Sequence, residues 1–310
     1  MEFSHIPVML GECIDGLDIK PCGIYVDCTL GGGGHSEAIA SRLDGGRLIA
    51  IDKDSDAIIA ASKRLAKYGE SISYVHDDFK NFEVHLDELG IEKIDGILMD
   101  LGVSSYQLDN AERGMSYKED GPLDMRMDRD AKFSAADVVN GYDERQLADI
   151  IWKYGEERYS RKIAAAICRR RREKAIETTA ELAEIVSKCF PPKERYGLGN
   201  PCKRTFQAIR IEVNGELEGL SEMLKSATGR LKSGGRICVI TFHSLEDRIV
   251  KQTFNYLNAT CVCPPGQPIC TCDKKREVEI IGRKPIVASE DELTVNKRAG
   301  SAKLRIAQKI

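Results

Sequence analysis

The sequence predicts an α/β protein, a parallel sheet covered by helices and split by a helical insertion. Three observations carry this. Apolar runs alternate with helical stretches over the first 100 residues, and those runs are apolar on both faces. The alternation then stops near Gln107 and resumes only near Leu231.

Ile24–Asp27 is a short strand running into glycines, and Ser36–Leu43 has helical spacing. Arg47–Asp52 is a second strand, followed by an Ala-, Lys- and Arg-rich helix over Ala57–Tyr68. Ser71–His76 and Ile94–Asp100 are the third and fourth strands. Beyond Gln107 a polar loop (Asp109–Asp130) precedes helical patterns at Asp143–Tyr154, Glu156–Arg172 and Thr179–Cys189. Phe190–Pro201 breaks the helices with three prolines and two glycines. One long helix is expected over Phe206–Leu231, then a tight Lys232-Ser-Gly-Gly235 turn into a fifth strand ending at Phe242. Glu277–Ile281 and Ala302–Ala307 alternate as late strands. The expected domains are 1–106 with 213–310, and an inserted helical domain over 107–212.

With 42% hydrophobic and 31% charged residues, the 310-residue chain is too apolar to be disordered. No apolar run approaches the 18 residues of a membrane span, and the first ten residues carry no cationic or apolar leader. A soluble, cytoplasmic protein with eleven reduced cysteines is expected, with no membrane partner. The net charge of −3 is unevenly spread. Arg161–Glu212 carries +7 and Asp273–Ile310 carries +4, which leaves −14 on the rest. Such asymmetry points to a polyanionic partner.

The first chemical motif is Val26-Asp-Cys-Thr-Leu-Gly-Gly-Gly-Gly-His35. Glycines between a strand and a helix let a ligand approach the backbone, and the helix start aims its N–H groups at the same place. Asp52 ends the next strand, 18 residues after Gly34, where a carboxylate can take both ribose hydroxyls of an adenosine cofactor. Ser36 falls where a dinucleotide fingerprint needs its third glycine, which weakens a nicotinamide dehydrogenase reading. Asp100 ends the fourth strand at the same carboxyl edge.

These motifs, with Asp95-Gly-Ile-Leu-Met-Asp-Leu-Gly-Val-Ser-Ser105, Glu112-Arg-Gly-Met-Ser116 and Gly121-Pro-Leu-Asp-Met-Arg-Met127, resemble the bacterial 16S rRNA cytosine-N(4)-methyltransferases of the MraW (RsmH) family. Tyr154-Gly-Glu-Glu-Arg158, Thr205-Phe-Gln-Ala-Ile-Arg-Ile211 and Phe242-His-Ser-Leu-Glu-Asp-Arg248 complete the blocks, and the likeness runs from His5 to the C-terminus. Asn296-Lys-Arg-Ala-Gly-Ser-Ala-Lys-Leu-Arg305 lacks one proline and one arginine of the family pattern Asn-Pro-Arg-x-Arg-Ser-x-Lys-Leu-Arg. The resemblance implies a Rossmann-like S-adenosylmethionine-dependent methyltransferase sheet acting on 16S rRNA within the small ribosomal subunit. It further implies that Gly33, Gly34 and His35 line the methionine and ribose side of the cofactor, and that Asp52 takes the ribose. On the same grounds Phe79 flanks the adenine, and Asp100 and Gln107 close the pocket on the substrate side. Monomer and dimer both stay open.

Transfer of a methyl group to an exocyclic amine needs a hydrogen-bond acceptor that lets the nitrogen lone pair leave the ring and stabilises the growing positive charge. Asp100 is the first candidate for that role; Ser104, Ser105 and His243 follow it. No cysteine follows the fourth or fifth strand where it could attack a pyrimidine ring, which argues against a covalent route. The target base must leave its stack to reach such a site. Arg169-Arg-Arg-Arg172 is the densest charge for phosphate contacts, although four consecutive helical positions point around most of the circumference. A non-catalytic RNA-binding assembly factor is the alternative, and it would have no use for Asp52 and Asp100.

Cys261-Val-Cys263 and Cys270-Thr-Cys272 place four cysteines within twelve residues, turned back by Pro264–Pro268. Four thiolates can close a structural zinc site, although paired zinc cysteines usually stand two to four residues apart. A reduced surface loop is the other reading, so the metal stays unknown at this point.

Overall fold

The computed structural model describes residues 7–195, 200–267 and 269–310. Tyr196–Gly199, inside the expected linker, the start of the family resemblance at His5–Ile6, and Pro268 lie outside the described residues. By contact density the chain forms two compact units, Met1–Gly102 with Glu218–Ile310, and Val103–Leu217. Their borders lie a few residues from those drawn on the sequence.

The first unit opens with α1 (Leu10–Leu17), β1 (Ile24–Asp27), α2 (Gly34–Ala40), β2 (Arg47–Asp52) and α3 (Ser55–Arg64). β3 (Ile72–His76), α4 (Phe82–Glu88) and β4 (Ile94–Asp100) follow. The second unit holds α5 (Ser105–Asp109), α6 (Ala135–Gly141), α7 (Glu144–Gly155), α8 (Ser160–Arg171), α9 (Thr179–Lys188), α10 (Pro192–Arg195) and α11 (Cys202–Asn214). The chain then returns to the first unit with α12 (Leu220–Arg230), β5 (Leu231–Thr241), α13 (Ser244–Asn258), β6 (Val278–Ile286), α14 (Glu290–Val295) and β7 (Lys303–Lys309).

The seven strands form one sheet in the order β3-β2-β1-β4-β5-β7-β6. β1 to β5 pair in parallel, while β7 runs antiparallel between β5 and β6. This is the expected α/β sheet, with apolar layers on both faces. Val26, Ile49, Ile97 and Val239 pack on one side, and Tyr25, Leu48, Leu98 and Ile240 on the other. The chain leaves β1 toward β2 and β3, then returns to β4 on the other side of β1. That reversal opens a crevice at the carboxyl ends of β1 and β4.

Register fixes what lines the crevice. Asp27 stands opposite Ala50 of β2 and Leu98 of β4. Asp52 and Asp100 therefore stand two residues further along the strands on either side of it, with side chains on the same face.

Two sequence expectations change. The helix expected over Phe206–Leu231 is two helices, because Gly215 (φ 57°) and Gly219 (φ 68°) take the left-handed conformation between them. The helix expected from Glu156 starts at Ser160, since Glu156 (φ 48°) ends α7. The polar loop over Asp109–Asp130 is pinned from within its own unit. The buried Arg113 guanidinium donates to Arg126 O (3.1 Å) and Met127 O (2.8 Å), and Asn214 Nδ2 donates to Met125 O (2.7 Å).

Gly34, the first residue of α2, has a steric reason. A Cβ there would lie 2.2 Å from Pro7 Cγ, where the N-terminal segment crosses the helix start. Gly34→Ala is expected to lower stability by about 1–3 kcal/mol. Protease should then cut faster near Val8. An unchanged melting temperature and cleavage rate would show that the contact is not binding on the fold.

Candidate active site

The crevice is built from carboxylates with graded support. Asp27 is fully buried; its Oδ2 accepts from Ser36 Oγ (2.6 Å) and its Oδ1 from Thr29 N (3.1 Å). Burial still pushes its carboxyl above the usual range. Asp52 accepts from Gly31 N at 2.7 Å and from Asp54 N at 2.9 Å, which ties the end of β2 to the glycine turn. Burial raises it to about 6 against those two donors. Asp100 goes furthest, to about 8, through burial and the nearby charges of Asp27 and Glu246.

The cause is visible at the atoms. Thr29 Oγ1 accepts from the Asp100 backbone N–H (2.6 Å), but Asp100 Oδ1 is buried with no hydrogen-bond partner among the described residues. His35, buried at the start of α2, offers little relief. Its Nε2 lies 3.0 Å from Val8 O, and a carbonyl only accepts, so Nε2 carries the proton. Burial holds His35 below its usual range, hence neutral, and its Nδ1 lone pair faces Asp100 Oδ2 across 3.8 Å. An orphaned buried acceptor of this kind calls for a donor or a cation from outside the chain.

The residues singled out from the sequence fall at different places. Asp52 and Asp100 lie at the crevice, with His35 beside them. Gly33 and Gly34 are adjacent, but a Cβ at Gly33 would meet Ala61 and Leu65, and one at Gly34 would meet Pro7. Both are thus explained by packing inside the protein. Gly31, which the sequence reading did not single out, is the open one: its φ is +48° and only Thr29 O lies within 4 Å of an added Cβ. Phe79 opens a short 3-10 turn after β3, half-buried with part of its ring on the core.

Ser104 and Gln107 lie in the second unit, where they close a capping box at the start of α5. Ser104 Oγ accepts from Gln107 N (3.2 Å), and Gln107 Oε1 accepts from Ser104 N (3.0 Å). His243 begins α13 as its cap, with Nδ1 3.5 Å from Glu246 N and Nε2 3.1 Å from Glu246 Oε1. Glu246 in turn accepts from Phe242 N at 2.8 Å. These local duties account for Ser104 and Gln107 without a ligand, whereas His243 Nε2 is buried with no hydrogen-bond partner among the described residues. Sequence reasoning missed Asp27 and Gly31 as members of the site. The signal was an aspartate closing an apolar strand and the first glycine after it.

In the helical unit, Arg171 donates to Val139 O (2.7 Å) and Arg170 pairs with Glu181 (3.8 Å), whereas Arg169 and Arg172 are exposed. Trp152 on α7 is also exposed, at 62%. Among the described residues no helix is long and apolar enough to cross a membrane.

The chain is 54% identical over its full length to the ribosomal RNA small subunit methyltransferase H of Clostridioides difficile, and covers all of that protein. It is 55% identical to the protein of the same name from Clostridium botulinum strain Loch Maree and 51% to that from Finegoldia magna, again over the whole of each chain. Among solved structures, an rRNA methylase from Streptococcus thermophilus covers 99% of both chains at 12% identity, with a TM-score of 0.43. The sequence model of the MraW methylase family matches residues 2–310, and the chain belongs to that family.

Proposed function

We propose that this protein methylates N4 of a cytidine in the decoding centre of 16S rRNA, using S-adenosylmethionine and taking its substrate within the small ribosomal subunit. The single observation that carries the reading is the buried Oδ1 of Asp100 at the end of β4, without a partner among the described residues, in a chain whose full-length relatives are named as small subunit rRNA methyltransferases. When bound, S-adenosylmethionine supplies a methyl group activated by its positive sulfonium.

The residues present fit that cofactor. The Asp52 carboxylate, held by Gly31 N and Asp54 N, keeps lone pairs for ribose hydroxyls, and the exposed part of Phe79 offers a face to the adenine. Gly31 leaves its side of the turn open. Asp100 Oδ1 accepts an N–H of the cytosine amine. This frees the nitrogen lone pair from the ring and leaves a negative charge beside the nitrogen as it becomes positive. Held in place, nucleophile and electrophile need only align, and positioning supplies most of the remaining acceleration. Arg169, Arg172 and Trp152 are the side chains we assign to RNA in the helical unit, the arginines to phosphates and the indole to a base face.

The assignment is tested by mass spectrometry of small-subunit rRNA from cells with and without the gene. Loss of a single N4-methyl on a decoding-centre cytidine is expected; an unchanged methylation pattern would contradict the proposal. Asp100→Asn keeps shape and an acceptor oxygen but removes the charge. Single-turnover methylation of small subunits at saturating cofactor should fall roughly 10²-fold or more, with RNA affinity nearly constant. A retained rate with collapsed RNA binding would make Asp100 an RNA-positioning residue instead.

A further inference from the structure

We propose that Cys261, Cys263, Cys270 and Cys272 bind one structural zinc ion, clamping the loop between α13 and β6. Their sulfurs form a compact cluster. The separations are 3.6 Å between Cys261 and Cys270, 3.9 Å between Cys263 and Cys270, 3.5 Å between Cys270 and Cys272, and 3.8 Å between Cys272 and Cys261. All four atoms lie within 4.8 Å of one another. A tetrahedral ion with zinc–sulfur bonds of about 2.3 Å sets its ligands about 3.8 Å apart, and these four separations match that spacing.

The competing explanations fit less well. A disulfide needs sulfurs about 2.05 Å apart, and all four cysteines are free thiols. Apolar burial does not gather them either. Cys261 and Cys270 are exposed, as are Val262 at 46% and Ile269 at 74%. The single residue between the cysteines of each pair departs from usual zinc spacing, but the loop's return brings the two pairs together face to face.

Backbone N–H groups point at the sulfurs as they do around metal-bound thiolates. Val262 N donates to Cys272 Sγ (3.3 Å), Cys263 N to Cys261 Sγ (3.4 Å) and Thr271 N to Cys263 Sγ (3.4 Å). Asp273 separates the cluster from Lys274, Lys275 and Arg276, of which Lys274 pairs with Glu277 at 2.6 Å. The loop's base is already closed, by Glu277 N donating to Leu257 O (2.9 Å) and Arg276 Nε to Asn258 Oδ1 (2.9 Å). The metal would fix the remainder and, through it, the sheet's edge strand β6.

The test is elemental analysis of the full chain, purified under reducing conditions from cells grown without added metal. About one equivalent of zinc is expected, falling to near zero in Cys270→Ser and unchanged in Cys22→Ser, an exposed cysteine outside the cluster. Chelator-stripped wild-type protein titrated with cobalt(II) should develop thiolate charge-transfer absorption that saturates at about one equivalent, which serves even if Cys270→Ser fails to fold. Metal-free protein without the cobalt band, iron in place of zinc, or undiminished zinc in folded Cys270→Ser would each overturn the assignment.

Discussion

The cost of holding carboxylates away from water organises the crevice. Parallel pairing sets Asp27, Asp52 and Asp100 side by side at the ends of β1, β2 and β4. Each needs donors, and the fold provides them unequally. Asp27 has Ser36 and Thr29, and Asp52 has two backbone N–H groups, but the Oδ1 of Asp100 has none among the described residues. The order of support is also the order of chemical use. The best-satisfied carboxylate organises the glycine turn, the middle one suits a neutral sugar, and the last is poised for a charge that arrives with ligand or develops during reaction.

The surrounding elements make sense as supports for that edge. The glycine turn must be tight enough for Gly31 to reach Asp52, and the N-terminal segment must cross Gly34 for Val8 to hold His35. His35 is then fixed as the Nε2–H tautomer, which denies Asp100 a neighbouring cation. Glu246, while starting α13, adds a second negative charge near Asp100. Capping, packing and electrostatics thus act through the same few residues.

Much of this was legible in the chain. Apolar runs ending in Asp27, Asp52 and Asp100, with glycines after the first, mark strand ends because strand and turn chemistry are local. The order 3-2-1-4-5-7-6 was not legible, since pairing joins segments as distant as Asp100 and Ile240. Nor were the roles of Gly33 and Gly34, whose neighbours come from α3 and the N-terminal segment. Nor was it legible that Gln107 and the Nδ1 of His243 are engaged in helix starts with residues three positions away. The cysteine quartet was visible as composition only. Its tetrahedral spacing depends on how the loop turns back.

Asp100 waits largely protonated for a positive partner. Burial raises it to about 8, so near pH 7 a cation seated beside it must expel the proton. Binding should therefore strengthen as pH rises and level off above about 8. The most direct measurement is calorimetric titration of the protein at pH 7 in two buffers of different ionisation enthalpy. Release of roughly one proton per S-adenosylmethionine bound is expected, with little for the uncharged sulfur of S-adenosylhomocysteine and none for either in Asp100→Asn. Equal proton exchange for the two ligands, or release that persists in Asp100→Asn, would contradict it.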